Sequence, residues 1–173
     1  MNRIFYFIPV ATVFLTAFPF PANSQGKLEL TSSAFKNNEM IPSKYTCQGE
    51  DINPELEIKN IPDGTKSLVL IVDDPDAPMG TWVHWVVFNI PNTVEKIKEN
   101  SMPGVGGINN FGKLNYGGPC PPSGTHRYFF KLYALDTLLA HKENASKNGR
   151  LPLQYSHRLL PRVYLKGCLH TSM

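Results

Sequence analysis

Short apolar runs separated by proline, glycine and asparagine characterise the chain between residues 28 and 135. Runs of this length and spacing are typical of β-strands linked by turns, and helical periodicity is weak. The predicted strands are Leu28–Thr31, Leu56–Ile61, Leu68–Val72, Trp82–Ile90 and Thr125–Leu135. We therefore predict a mainly β protein, an antiparallel β-sandwich with few short helices, and Thr93–Asn100 is the segment that could hold one.

Two of the predicted strands are apolar on both faces. In Trp82–Ile90 the alternate positions of either face are mostly apolar or aromatic, and Thr125–Leu135 behaves similarly. A strand without a polar face is buried on both sides. These two segments are therefore predicted as central strands of the sheet.

The N-terminal segment differs from the rest of the chain. A single basic residue precedes an apolar run from Ile4 to Phe20, and small residues stand at Ala22 and Ser24. This pattern predicts a secretory signal peptide cleaved before Gln25. The alternative is a membrane anchor, but the apolar stretch that prolines leave uninterrupted, residues 10–18, is shorter than the ~20 residues that a spanning helix needs. We expect an exported protein, either periplasmic or secreted.

The charges divide the remaining chain in two. The formal net charge of +3 is too small to argue for a nucleic-acid partner. Residues 25–138 hold 10 Lys and Arg against 13 Asp and Glu, whereas residues 139–173 hold six basic residues and one acid. We predict a signal peptide at 1–24, one domain at 25–138 and a divergent basic tail at 139–173. Contact of the tail with a membrane would be peripheral at most, and we favour an exposed, solvated end.

Polar residues of the kinds that bind ligands or take part in catalysis follow the strands. The run Leu68–Val72 leads directly into three carboxylates, Asp73, Asp74 and Asp76, among prolines. Two histidines, His84 and His126, lie near the starts of the next long strands. A carboxylate cluster beside buried strands is costly unless it is solvated, hydrogen-bonded or liganded. Taken singly, each residue also fits a core histidine or simple turn chemistry.

Three stretches carry a resemblance to a known family. They are YTCQGEDINPELEI (45–58), SLVLIVDDPDAPMGTWVHWVVFNIP (67–91) and NNFGKLNYGGPCPPSGTHRYFFKLYALDT (109–137). They resemble the bacterial branch of the phosphatidylethanolamine-binding proteins, also called Raf kinase inhibitor-like proteins. The resemblance implies a β-sandwich with a small anion pocket at one edge, known for phosphate and phospholipid head groups. Eukaryotic relatives are known for modulating kinases or proteases, which is a second role that the resemblance implies.

The family pocket transfers onto eight residues of this chain. The ligand-binding residues implied by the resemblance are Asp74, Asp76, Ala77, Pro78, His84, Gly118, His126 and Tyr128. Imidazoles, a phenol and loop N–H groups can donate to a phosphoryl group, while carboxylates can accept from an ammonium or orient the histidines. We expect the carboxylates to hold His84 or His126 partly protonated.

The leading interpretation is a non-catalytic binding module for a small anionic or phosphorylated ligand, without cofactor or metal. One alternative is a metal-dependent hydrolase that uses the Asp and His cluster, since two histidines and a carboxylate are a usable ligand set. The sequence lacks the H-E-x-x-H and C-x-x-C spacings of common metal sites. Another alternative is a protein inhibitor that acts by surface contact with an unidentified partner.

The resemblance ends near Leu138. Pro152 and Pro161 would break the helix that relatives usually carry beyond that point. A disruption of the reading frame and genuine divergence explain the tail equally well, and either would leave one edge of the sandwich poorly covered.

The chain contains three cysteines, Cys47, Cys120 and Cys168. In an exported protein a disulfide between Cys47 and Cys120 is expected, with Cys168 left over. The alternative for Cys47 and Cys120 is a pair of reduced, buried thiols.

Overall fold

The computed structural model describes residues 26–139 and 159–171, which form two antiparallel β-sheets. The strands are β1 Glu29–Thr31, β2 Leu56–Lys59, β3 Ser67–Asp74, β4 Trp82–Pro91, β5 Lys96–Ile97, β6 Val105–Gly106, β7 Gly124–Leu135 and β8 Leu159–Thr171, and a single 3-10 turn spans Ser43–Tyr45 within the described residues. The smaller sheet has the order β1-β2-β5 and the larger the order β6-β4-β3-β7-β8. The predicted mainly β sandwich is confirmed.

The main core lies between the two sheets. The smaller sheet contributes Leu30 and Ile58, which face Leu70, Trp85 and Phe130 of the larger sheet, all of them at most 3% exposed. These positions alternate with polar residues in β1 and β2 but not in β3 and β4. A second apolar cluster covers the opposite face of the larger sheet, so its central strands are buried on both sides, as the sequence predicts.

The predicted helix within Thr93–Asn100 is wrong. The structure has the two-residue strand β5 there, and Ile97 pairs with Leu56 of β2. The burial alternates, because Ile97 packs in the core while the Lys96 side chain reaches Glu55 at 3.0 Å. A period of two residues is the signature of a strand.

The end of the chain forms an edge strand instead of an exposed, solvated end. β8 pairs with β7 from Gly124↔Thr171 to Leu135↔Leu159, with a register shift near Tyr133. Leu165 and Leu169 of β8 are buried in the main core. The edge of β7 that we expected to be poorly covered is therefore paired along its length, and residues near Met40 cover part of β8.

Two sequence predictions lie outside the described residues. These are the signal peptide of residues 1–24 and the tail between residues 140 and 158, which contains Pro152. Among the residues that the structure describes, no helix is long and apolar enough to cross a membrane.

The sheet order determines where functional side chains meet. β3 lies between β4 and β7 and is antiparallel to both, so the end of β3 is next to the starts of its two neighbours. Asp74 pairs with Trp82 at one side, and Asp73 pairs with Phe129 at the other. The carboxylates at the end of β3 are thereby brought to the same edge as the histidines early in β4 and β7.

Candidate ligand-binding site

A cavity of about 360 Å³ opens at this edge of the larger sheet. Its lining residues are Asp74, Ala77, Pro78, Met79, Trp82, His84, Phe111, Cys120, Pro122 and His126. Five of the eight residues implied by the family resemblance are therefore in its wall. The other three, Asp76, Gly118 and Tyr128, lie beside or behind it.

His84 is held in the wall by one ring nitrogen. Its Nδ1 lies 2.7 Å from the carbonyl oxygen of Gly117, and only 3% of the residue is exposed. Burial lowers the pKa of His84, although the backbone bond to Gly117 and the charge of Asp74 act in the opposite direction. At His84, desolvation therefore outweighs the charge of Asp74, and the buried ring favours its neutral form.

Asp74 orients His126. One carboxylate oxygen, Oδ2, lies 2.7 Å from Nδ1 of His126, and the other accepts the backbone N–H of Asp76 at 2.8 Å. Both side chains are more than nine-tenths buried. Of the two roles that the sequence left open for the carboxylates, the structure gives Asp74 the one that fixes a histidine.

The other two carboxylates face away from the cavity. Asp76 forms a bidentate ion pair with the Arg127 guanidinium at 2.6 and 2.8 Å, which lowers the pKa of Asp76 to about 2. Asp73 is buried and accepts from Lys131, while burial raises its pKa above the usual range. Neither residue lines the cavity, so the three carboxylates at the end of β3 and in the turn after it bind three different partners on β7.

Tyr128 and Gly118 support the site from behind. The ring of Tyr128 packs edge-on against His84 with centroids 5.2 Å apart, and burial raises the pKa of its hydroxyl. That hydroxyl is fully buried without a hydrogen bond of normal geometry to the described residues. Gly118 donates its N–H to Asp51 at 2.5 Å, and a side chain at this position would collide with the backbone of Thr46. Both residues therefore position the wall instead of facing the cavity.

A disulfide joins Cys47 to Cys120 and forms part of the wall. The segment before Cys120 is also tied to that region by a backbone bond from Cys47 to Pro119 at 3.1 Å. Cys168, the odd cysteine, is unpaired and half-buried on β8.

The cavity mouth is apolar, a feature that sequence reasoning missed. Met79 is 96% exposed at the tip of the turn after β3, and Phe111 is 41% exposed on the facing loop. Phe111 packs edge-on against both Trp82 and His84, with centroids 5.4 and 5.3 Å apart. Met79, Trp82 and Phe111 lie within the quoted family-like stretches. Their exposure depends on the placement of loops, which no periodicity in the sequence predicts.

No cluster of three or more His, Cys, Asp or Glu side chains able to hold a metal occurs in residues 26–139 and 159–171. Asp76, one member of the ligand set considered from the sequence, points instead to Arg127. The metal-dependent hydrolase therefore has no ligand set in this part of the chain.

Comparison with known proteins agrees with the resemblance. The family model described as phosphatidylethanolamine-binding protein matches residues 31–158, which extends past Leu138. The UPF0098 protein PH1269 of Pyrococcus horikoshii is 48% identical over 151 residues, covering 81% of this chain and 76% of its own. A UPF0098 protein of Methanothermobacter thermautotrophicus is 49% identical over 140 residues, covering 76% and 92%.

Solved structures share the fold over most of the chain. CT736 of Chlamydia trachomatis, described as a phosphatidylethanolamine-binding protein homolog, aligns with a TM-score of 0.78 at 38% identity, covering 84% of this chain and 99% of that one. Escherichia coli YbcL, described as a member of the mammalian family of these proteins, aligns with a TM-score of 0.76 at 30% identity, covering 85% and 100%.

Proposed function

This chain belongs to the phosphatidylethanolamine-binding protein family, and we propose that it is a non-catalytic module that binds a phosphoryl group, free or on a phospholipid head group. The observation that carries the proposal is the presence of two buried imidazoles, His84 and His126, in the wall of one cavity. In each ring Nδ1 is bound to the protein, which leaves Nε2 for a ligand.

Preorganisation supports binding at this site. His84 is fixed by Gly117 and His126 by Asp74, so a ligand does not have to order either ring. Fixing groups in advance lowers the entropic cost of binding. The buried surroundings also strengthen each hydrogen bond compared with the same bond in water.

The apolar mouth supports an organic ligand over inorganic phosphate alone. Met79 and Phe111 expose large side chains to solvent beside a site with polar groups in its wall. Exposed apolar surface next to a pocket is typical of a binding site. A phosphoryl ester would place its oxygens at the imidazoles and its carbon substituent against these side chains.

The wall composition supports binding without catalysis. Within the described residues, the lining includes no serine, threonine or free thiol, since Cys120 is in the disulfide. An Asp and His pair acts in acyl transfer by activating a nucleophile, and none lines this cavity. In this pair, Asp74 orients the imidazole of His126, which forms the hydrogen bond to the ligand.

Calorimetric titration of phosphoethanolamine into the purified protein tests the proposal. We expect His126→Ala to weaken binding by about one to two orders of magnitude, because a charge-assisted hydrogen bond contributes roughly 1.5 to 3 kcal/mol. His170→Ala is the matched control, since that histidine is exposed on β8 outside the cavity. Unchanged affinity in both His84→Ala and His126→Ala would show that the two imidazoles are ordinary buried residues.

We also propose that the protein is exported and begins at Gln25 after removal of the signal peptide. The disulfide between Cys47 and Cys120 supports an oxidising compartment. N-terminal sequencing of protein recovered from outside the cytoplasm tests this. A chain that retains Met1 in a membrane fraction would contradict it.

A further inference from the structure

The two imidazoles of the cavity offer different chemistry to a ligand. A carbonyl oxygen can only accept a hydrogen bond, so the Nδ1 that lies 2.7 Å from Gly117 O must carry a proton. A neutral imidazole has a single N–H. Nε2 of His84 therefore holds a lone pair and accepts hydrogen bonds.

The surroundings keep His84 in that state. The ring is 3% exposed and packs edge-on against both Phe111 and Tyr128. The negative groups near it, Asp74 and Asp51, favour a second proton, but burial outweighs them and lowers the pKa of His84.

His126 differs in its partner. Its Nδ1 also donates, but to the carboxylate of Asp74 instead of a neutral carbonyl. The negative charge of Asp74 behind the ring balances an N–H that Nε2 donates to an anionic ligand oxygen.

We propose that His84 is a specificity residue whose Nε2 selects ligands that bring a hydrogen-bond donor next to their anionic oxygen. This inference rests on the proposed binding of a phosphoryl group in the same cavity. The anionic oxygen accepts from His126, and the donor of the ligand satisfies His84. Two anionic oxygens would instead leave the lone pair of His84 facing a negative charge in a buried site, which is unfavourable.

Two kinds of ligand carry such a donor. A phosphomonoester that retains one proton has a P–OH group, and its second pKa is about 6. A phosphodiester of ethanolamine has no P–OH, but its ammonium group supplies N–H donors. Sulfate esters and simple phosphodiesters have the anion without a donor, and the site should reject both.

Titration calorimetry at pH 6 with four small probes tests the inference. Methyl phosphate carries P–OH, glycerophosphoethanolamine carries only the ammonium donor, and methyl sulfate and dimethyl phosphate carry neither. We expect at least one of the first two to bind about tenfold or more tightly than methyl sulfate and dimethyl phosphate. Which of the first two binds identifies the source of the donor.

The variant His84→Gln removes the selection without removing polarity. Its amide can turn an N–H toward a sulfate oxygen, so we expect the ratio of methyl phosphate to methyl sulfate affinity to fall toward one. His126→Ala should weaken every probe and leave that ratio nearly unchanged. Thermal melts check that both variants fold. If His84→Gln does not fold, the nitrogen-15 chemical shift of His84 in the wild type still reports whether Nε2 lacks a proton at pH 7.

The outcomes separate this inference from the function on which it rests. If all four probes bind within about twofold of one another while His126→Ala weakens them, the cavity binds anions and the selective role of His84 is wrong. A protonated Nε2 on His84 at pH 7 would also overturn it. If no probe binds, the proposed function fails and the inference fails with it.

Discussion

Removal of the disulfide should destabilise the domain and leave its fold recognisable. Cys47 and Cys120 are separated by 73 positions, so the bond closes a long loop in the unfolded chain. For a loop of that length, the lost chain entropy corresponds to about 4 kcal/mol at 25 °C, and measured values are commonly 2 to 4 kcal/mol. Serine at these two positions should add no further loss of stability, because both positions are exposed and a hydroxyl there stays hydrated.

The assay is equilibrium unfolding in urea. The reference is Cys168→Ser, which removes the free thiol, and the test protein carries Cys47→Ser and Cys120→Ser in the same background. With a urea dependence of about 2 kcal/mol per molar, a loss of 2 to 4 kcal/mol lowers the midpoint by about 1 to 2 M. A midpoint within about 0.3 M of the reference would show that the disulfide does not constrain the unfolded chain, against this prediction.

Two further predictions concern the larger sheet, one at the ion pair of Asp76 and Arg127 and one at its edge strand β8. The pKa of Asp76 is lowered to about 2 by Arg127, so the stability that this pair supplies is complete above pH 4 and is lost as the pH falls toward 2. Since the pair is partly exposed, Asp76→Asn should lower the urea midpoint by only about 0.3 M at pH 7. At pH 2, where the carboxylate of Asp76 is largely neutralised in the unfolded chain and half neutralised in the folded one, the effect should be much smaller. An equal effect at both pH values would contradict the assignment. Leu165→Ala should lower the free energy of unfolding, measured in urea, by about 2 to 4 kcal/mol, because this residue of β8 is buried. Tyr164→Ser, at the exposed neighbouring position, should lower it much less. Equal losses would mean that β8 does not pack in the core.

The central strands could be predicted from sequence because burial on both faces leaves a long apolar run. Trp82–Ile90 and Thr125–Leu135 correspond closely to β4 and β7. β5 and β6 could not be predicted, since each has two residues and no period can be read over that length. Such short strands exist only because a longer neighbour pairs with them.

β8 was missed although its sequence alternates. Val163, Leu165 and Leu169 lie on one face, and basic residues with Tyr164 lie on the other. Alternation of this kind is the mark of a strand with one buried face. Many basic residues and a proline, here Pro161, are also typical of an exposed tail. An edge strand, however, tolerates both charge and proline.

The candidate site could be located from sequence but its division of roles could not. His84, His126 and Asp74 stand near strand ends, and antiparallel neighbours bring those ends together. Whether a carboxylate turns inward depends on what lies across the strand, and Arg127 draws Asp76 outward. The acceptor state of His84 depends likewise on a backbone carbonyl 33 residues away in sequence.

A crystal structure of the protein soaked in phosphate would show directly whether the two imidazoles bind an anion together. We expect one phosphate ion in the cavity, with oxygens about 2.6 to 3.2 Å from Nε2 of both His84 and His126. The Nδ1 bonds to Gly117 and Asp74 should remain as they are. A cavity that holds only water at saturating phosphate, or an ion bound elsewhere without contact to either imidazole, would contradict the claim.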